Sequence, residues 1–190
     1  TKSELIEAIA GSEGRVLASE TIGITIPLLT DVTNAEFAAS MGADLILLNM
    51  FDVQEPKIMA LPEVEKEETV REVKRLTGRM VGINLEPVEE SYASDNKETL
   101  WEMSAGRYAT VENAIQAQKM GVDLIVLTGN PGNGVSNELI VEALKAISAA
   151  VGDRVLLAAG KMHASGVAGE GGEKIMTPDD AEAFMAAGAD

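Results

Sequence analysis

The chain has 190 residues, is 46% hydrophobic and carries a formal charge of −16. That is enough apolar material for a sizeable core, and the acidity argues against nucleic acid or an anionic membrane as a partner. There is no cysteine, which excludes disulfides and thiolate metal sites, and no apolar run approaches the roughly 20 residues a bilayer span needs. No basic leader with an apolar segment marks export, so a soluble, cytoplasmic protein is expected, with a homo-oligomer as one option.

Residues 3–10 read as a short amphipathic helix with Leu5, Ile6 and Ile9 on one side, punctuated by Gly11 and Gly14. Residues 15–19 begin an extended run whose polar exit is Glu20 and Thr21. Thr33 stands three residues before Glu36, the capping-box spacing, and predicts a small-residue helix ended by Gly42. A second strand is expected over 44–49, DLILLN, with Phe51 and Asp52 just beyond it. Residues 63–76 carry Val64, Val70, Val73 and Leu76 among many charges, a helix closed by Thr77-Gly78. The third strand, 80–85, leaves through Asn84, Glu86 and Pro87.

Residues 88–109 are polar and hold Trp101, Tyr92 and Tyr108, which reads as an insertion over the carboxyl-terminal face of a single domain spanning 1–190. Thr110 starts a helix ending at Met120-Gly121. The stretch VDLIVLTGNPGNGVSN, 122–137, then joins a buried strand to a glycine-rich loop and a helix over 138–149, with Ser136 or Asn137 as its cap. A fifth strand, 154–159, leaves through Gly160, Lys161 and His163, and Thr177-Pro178-Asp179-Asp180 is a strong helix start.

The motif of helix end, glycine, small residue and aspartate recurs in ASMGADLILLN, AQKMGVDLIVLTG and FMAAGAD. Alternating strands and helices with short turns predict parallel βα units, and an eight-unit barrel takes about 250 residues. The expected fold is therefore α/β, a parallel (βα)8 TIM barrel represented here by about five units; an open doubly wound sheet is the alternative.

In either architecture the working face lies beyond the carboxyl ends of the strands. The polar residues expected there are Glu20, Asn49, Asp52, Asn84, Glu86, Thr128, Asn130, Lys161 and His163. Glu86 follows Asn84 by two residues, so both point the same way from a strand, and Glu86 could serve as a base, a metal ligand or a partner of loop amides. Glu20 and Asp52 could complete an oxygen set for magnesium, although no metal-binding spacing is present. Lys161 could form a Schiff base, anchor a phosphate or carboxylate, or pair with Glu86; His163, the single imidazole, could share the site as a proton donor. The GNPGNG loop suits an anion but matches no nucleotide-binding pattern.

GINLEPV at 82–88, LTGNPGNGVSN at 127–137 and GKMH at 160–163 resemble a family of bacterial TIM-barrel proteins labelled phosphoenolpyruvate phosphonomutase-like or haloacid dehalogenase-like hydrolases. The resemblance spans nearly the whole chain and implies the barrel, a small anionic substrate and a site at the three quoted motifs. The Asp-x-Asp metal segment and catalytic loop of true phosphonomutases and isocitrate lyases are missing, so their mechanism is not transferred. The resulting expectation is an enzyme of lyase, mutase or aldolase type acting beside a carbonyl. It assigns Glu86, Lys161 and His163 to catalysis and Glu20, Asn49, Asn84, Thr128 and Asn130 to substrate binding. A non-catalytic metabolite-binding barrel and a metal-assisted hydrolase are the rivals.

Overall fold

The computed structural model describes residues 1–88, 103–129, 135–160 and 176–190. Five strands, β1 (Ala18–Ile22), β2 (Leu45–Asn49), β3 (Met80–Leu85), β4 (Leu124–Leu127) and β5 (Leu156–Ala159), form one sheet in the order 1-2-3-4-5. Every pairing is parallel. Helix α1 (Lys2–Gly11) precedes the sheet. Helices α2 (Asn34–Ser40), α3 (Thr69–Thr77), α4 (Val111–Met120) and α5 (Asn137–Val151) connect successive strands, and α6 (Pro178–Ala187) follows β5.

Right-handed crossovers between strands that succeed one another in order all return on the same side, so the helices line one face as an outer layer. Consistent with this, α2 packs on α3, α3 on α4, α4 on α5 and α5 on α6. A doubly wound sheet would reverse its strand order and place helices on both faces; the described strands show no reversal. The architecture is the predicted one, the βα succession of a TIM-type barrel.

Strand alternation divides the side chains between two faces. Ile46, Leu48, Val81, Ile83, Leu85, Ile125, Leu127 and Leu157 are buried against the helices, where they meet Val70 and Val73 of α3, Ala114 and Ala117 of α4, and Leu144 and Ile147 of α5. On the opposite, inner face Glu20, Leu47, Gly82, Leu124 and Leu156 share one level of the register. The next level holds Ile22 and Asn49 on β1 and β2, and Asn84, Val126 and Ala158 on β3 to β5.

The predicted helix signals are used as such. Thr33 with Glu36 and Thr177 with Asp180 form capping boxes, Ser136 caps α5, and Gly78, Gly121 and Gly188 end their helices in the left-handed region at φ 65°, 92° and 114°. The recurring aspartate also has a physical reason. Asp44, Asp123 and Asp190 each accept, at 2.9 Å, the backbone N–H of Leu17, Val81 and Leu157 on the preceding strand segment. Each also donates its own N–H to the carbonyl of that same residue. The motif is a bracket that sets the register of one strand against its neighbour.

Three expectations change. The first strand begins at Ala18 rather than Arg15, because Leu17 is held by the Asp44 bracket and pairing with β2 starts beyond it, so Glu20 lies within the strand and not at its exit. The third helix starts late: Glu65 is still extended, Lys66–Glu68 is a 3-10 turn, and the α-helix begins at Thr69. Helix α1 buries none of its residues, and Ile6 and Ile9 remain 39% and 36% exposed. It is tied down by charge instead, through Lys2 Nζ to Asp190 Oδ2 at 2.7 Å and to the Gly152 carbonyl.

Candidate active site

Asn49 and Asn84, at the carboxyl ends of β2 and β3, form a hydrogen-bonded row on the inner face with Glu20 from the middle of β1. Asn49, the last residue of β2, donates Nδ2 to Glu20 Oε1 of β1 at 2.8 Å. Asn84 of β3 donates Nδ2 to Asn49 Oδ1 at 3.3 Å. Asn49 Oδ1 also receives the N–H of Met50 at 2.8 Å, and Met50 has φ 57°, a left-handed conformation unusual for a residue with a flexible apolar side chain. Glu20 is exposed, Asn49 half-buried and Asn84 buried. Thus three of the predicted residues, drawn from positions 20, 49 and 84, meet as expected from parallel strands.

Glu86 lies just beyond β3 and is paired. Its Oε1 receives Arg107 Nη2 at 2.6 Å, with the two side chains only 12% and 11% exposed. Backbone bonds lock the partners together: Glu86 donates to the Arg107 carbonyl at 2.9 Å, and Ala109 donates to the Glu86 carbonyl at 3.0 Å. The segment around the 3-10 turn Ala105–Arg107 therefore runs beside the extension of β3, with a parallel bridge from Glu86 to Tyr108. Gly129, at the start of the glycine-rich loop, sits against the other oxygen of Glu86. Arg107 is the functional candidate that the sequence reading missed. Its signal was modest: it is the one arginine between Arg79 and Arg154, placed between Gly106 and Tyr108.

Asp52 proves to be a loop organiser. Its Oδ1 accepts the N–H groups of Gln54 at 2.7 Å and Glu55 at 2.9 Å. Burial pushes this carboxyl up, but the Ser104 side chain and the amides of Glu55, Gln54 and Gly106 together outweigh it and hold the group below the ordinary aspartate value. A Cβ on Gly106 would collide with the Asp52 carboxylate, so this approach requires glycine. Thr128 is half-buried one residue past β4. Asn130, Lys161 and His163 lie outside the described residues, as do Tyr92 and Trp101 of the insertion.

A magnesium site does not fit the described side chains. Glu86 is neutralised by Arg107, Asp52 is committed to its turn, and Asn84 supplies an amide where hard cations favour carboxylates. Among the described residues no cluster of three or more acidic or histidine side chains could hold an ion, and no described helix is long and apolar enough to cross a membrane.

Fold and site together define a parallel α/β barrel-type protein with a polar, charged carboxyl-end face. Residues 1–190 match the model of a family described as a domain of unknown function, DUF7916, and the chain belongs to that family. A comparison with curated proteins found no match. Among solved structures, 2,3-dimethylmalate lyase, a PEP mutase/isocitrate lyase superfamily member, is similar at 10% identity and a TM-score of 0.56, covering 100% of this chain and 61% of that one. A protein of Burkholderia cenocepacia J2315 assigned as a phosphonomutase is similar at 17% identity and 0.54, covering 96% and 70%. Another from the same organism, assigned as a lyase/mutase, gives 15% and 0.53, covering 100% and 63%. At these identities the likeness is one of fold, and the chain spans about three fifths of the length of the lyase. The haloacid dehalogenase-like label finds no support in these comparisons.

Proposed function

We propose that this chain forms the working face of a barrel enzyme of lyase or mutase type, acting beside a carbonyl in a small phosphorylated or carboxylated metabolite. The observation that carries the reading is the convergence of Glu20, Asn49 and Asn84 in one bonded row, followed immediately by the buried Glu86–Arg107 pair, at the end of the strands where barrels place their chemistry. The fold shared with a lyase and an assigned phosphonomutase supports it.

In this reading Arg107 joins Lys161 in drawing in the substrate anion. An incoming phosphate or carboxylate competes for the guanidinium, which frees the Glu86 carboxylate to take a proton from carbon beside the carbonyl. His163 returns a proton, while Thr128 and Asn130 orient the substrate. The protein acts in the cytoplasm, without nucleic acid or membrane as a partner.

The test is turnover of a panel of keto acids, phosphonates and sugar phosphates, followed by phosphorus and carbon NMR, for the parent, Glu86→Gln and Lys161→Met. The reading expects turnover in the parent and a loss of about a hundredfold or more in Glu86→Gln. A non-catalytic metabolite-binding barrel is the second reading, favoured by the fact that Glu86 is already neutralised by Arg107. Binding without turnover anywhere in the panel would select it.

A further inference from the structure

The side-chain row across β1, β2 and β3 has a fixed direction. The Glu20 carboxylate can only accept, so it takes Asn49 Nδ2 at 2.8 Å. Independently, the Met50 N–H can only donate, and it takes Asn49 Oδ1 at 2.8 Å. Both constraints demand the same orientation of the Asn49 amide. Asn84 must therefore present Nδ2 to Asn49 Oδ1, at 3.3 Å, and its own oxygen is turned away. That oxygen, Asn84 Oδ1, is buried with no hydrogen-bond partner among the described residues, in a residue 8% exposed. Folded proteins leave few buried acceptors in this condition, and this one lies at the carboxyl end of β3, in the level of the inner face that faces the proposed site.

We propose that Asn84 Oδ1 is the acceptor for a hydroxyl group of the ligand, and that Glu20 is a positioning residue that holds the acceptor in place through Asn49. The proposal rests on the barrel-mouth reading above and assigns a specificity within it. A carboxylate at the head of the row polarises each amide in turn, leaving Asn84 Oδ1 electron-rich. Such an oxygen strengthens a bond to O–H and repels the oxygens of a carboxylate or phosphate. The acid group of the ligand is therefore bound elsewhere on the face, and Asn84 distinguishes a hydroxylated small acid from its deoxy counterpart. It does so by direct hydrogen bonding rather than through a metal ion.

Calorimetric titration of the full chain with two matched pairs tests this: malate against succinate, and 3-phosphoglycerate against 3-phosphooxypropionate, each in EDTA and again with magnesium. The expected result is that the hydroxylated member binds about tenfold to a hundredfold tighter in EDTA. Asn84→Leu reduces the preference to within about twofold, chiefly by weakening the hydroxylated member. Glu20→Gln removes part of it. The side-chain amide NMR signal of Asn84 shifts with the hydroxylated member and not with the deoxy one, a readout that needs no variant. Equal binding of both members, a preference that disappears in EDTA, or one that survives Asn84→Leu overturns the assignment of Asn84. If neither pair binds at all, the barrel-mouth reading falls with it, which separates the two failures.

Discussion

The Glu86–Arg107 pair is the residue-level feature with the largest stake in the fold. Each side chain is almost covered, so removing one charge strands the other away from water. Arg107→Met should destabilise the chain by about 3–5 kcal/mol in urea unfolding, and adding Glu86→Gln should recover part of that loss. Asp52 gives a pH signature. Its folded value is lowered, so its contribution to stability is present above the unfolded carboxylate value and is lost as pH falls through the lower folded one. The stability difference between the parent and Asp52→Ala should therefore be full near neutrality and shrink on acidification below about pH 4, measured by melts across that range. Neither role was legible in the sequence. Asp52 was visible as a polar residue after a strand, but its partners Ser104 and Gly106 are some fifty positions away. Arg107 becomes informative only once the return of its segment to β3 is known.

Among the elements, the aspartate bracket explains a repeat that the sequence displayed without a reason. Asp123 carries an additional load, because its second oxygen takes Lys74 Nζ at 2.8 Å while the first holds the Val81 N–H. Asp123→Ala should cost about 1–3 kcal/mol, and Asp123→Asn distinctly less, since an amide oxygen can keep the backbone bond; chemical denaturation of both variants measures the difference. The same lysine also reaches the Gly121 carbonyl, and Arg71 reaches that of Lys119, so two cations of α3 cap the end of α4. Strand and helix identities were readable because the apolar runs and caps agree with the tertiary structure: the β3 limits and those of α4 are as predicted. Where a bracket or a turn intervenes, as before β1 and α3, local pattern alone placed the boundary several residues off. The meeting of the candidates Glu20, Asn49 and Asn84 was legible for the simple reason that parallel strands bring corresponding positions to one end.

Across the whole molecule, the described structure pairs β1 on one side, with β2. In the segment between β1 and α2 the apolar side chains of Ile26 and Leu28 are 83% and 72% exposed. Exposed apolar groups of this size favour association. Light scattering at micromolar concentration should find the chain self-associating, and the double change Ile26→Lys with Leu28→Lys should lower its apparent mass without shifting its melting temperature. An unchanged mass would show that this surface takes no part in assembly.

The unbroken succession of the strands also has a bearing on how the molecule comes into being. Among the described strands each βα unit docks on the one made just before it, so β2 to β5 each meet a partner already synthesised. The sheet can grow in the direction of translation, one hairpin of strand and helix at a time, with each aspartate bracket fixing alignment as its segment leaves the ribosome.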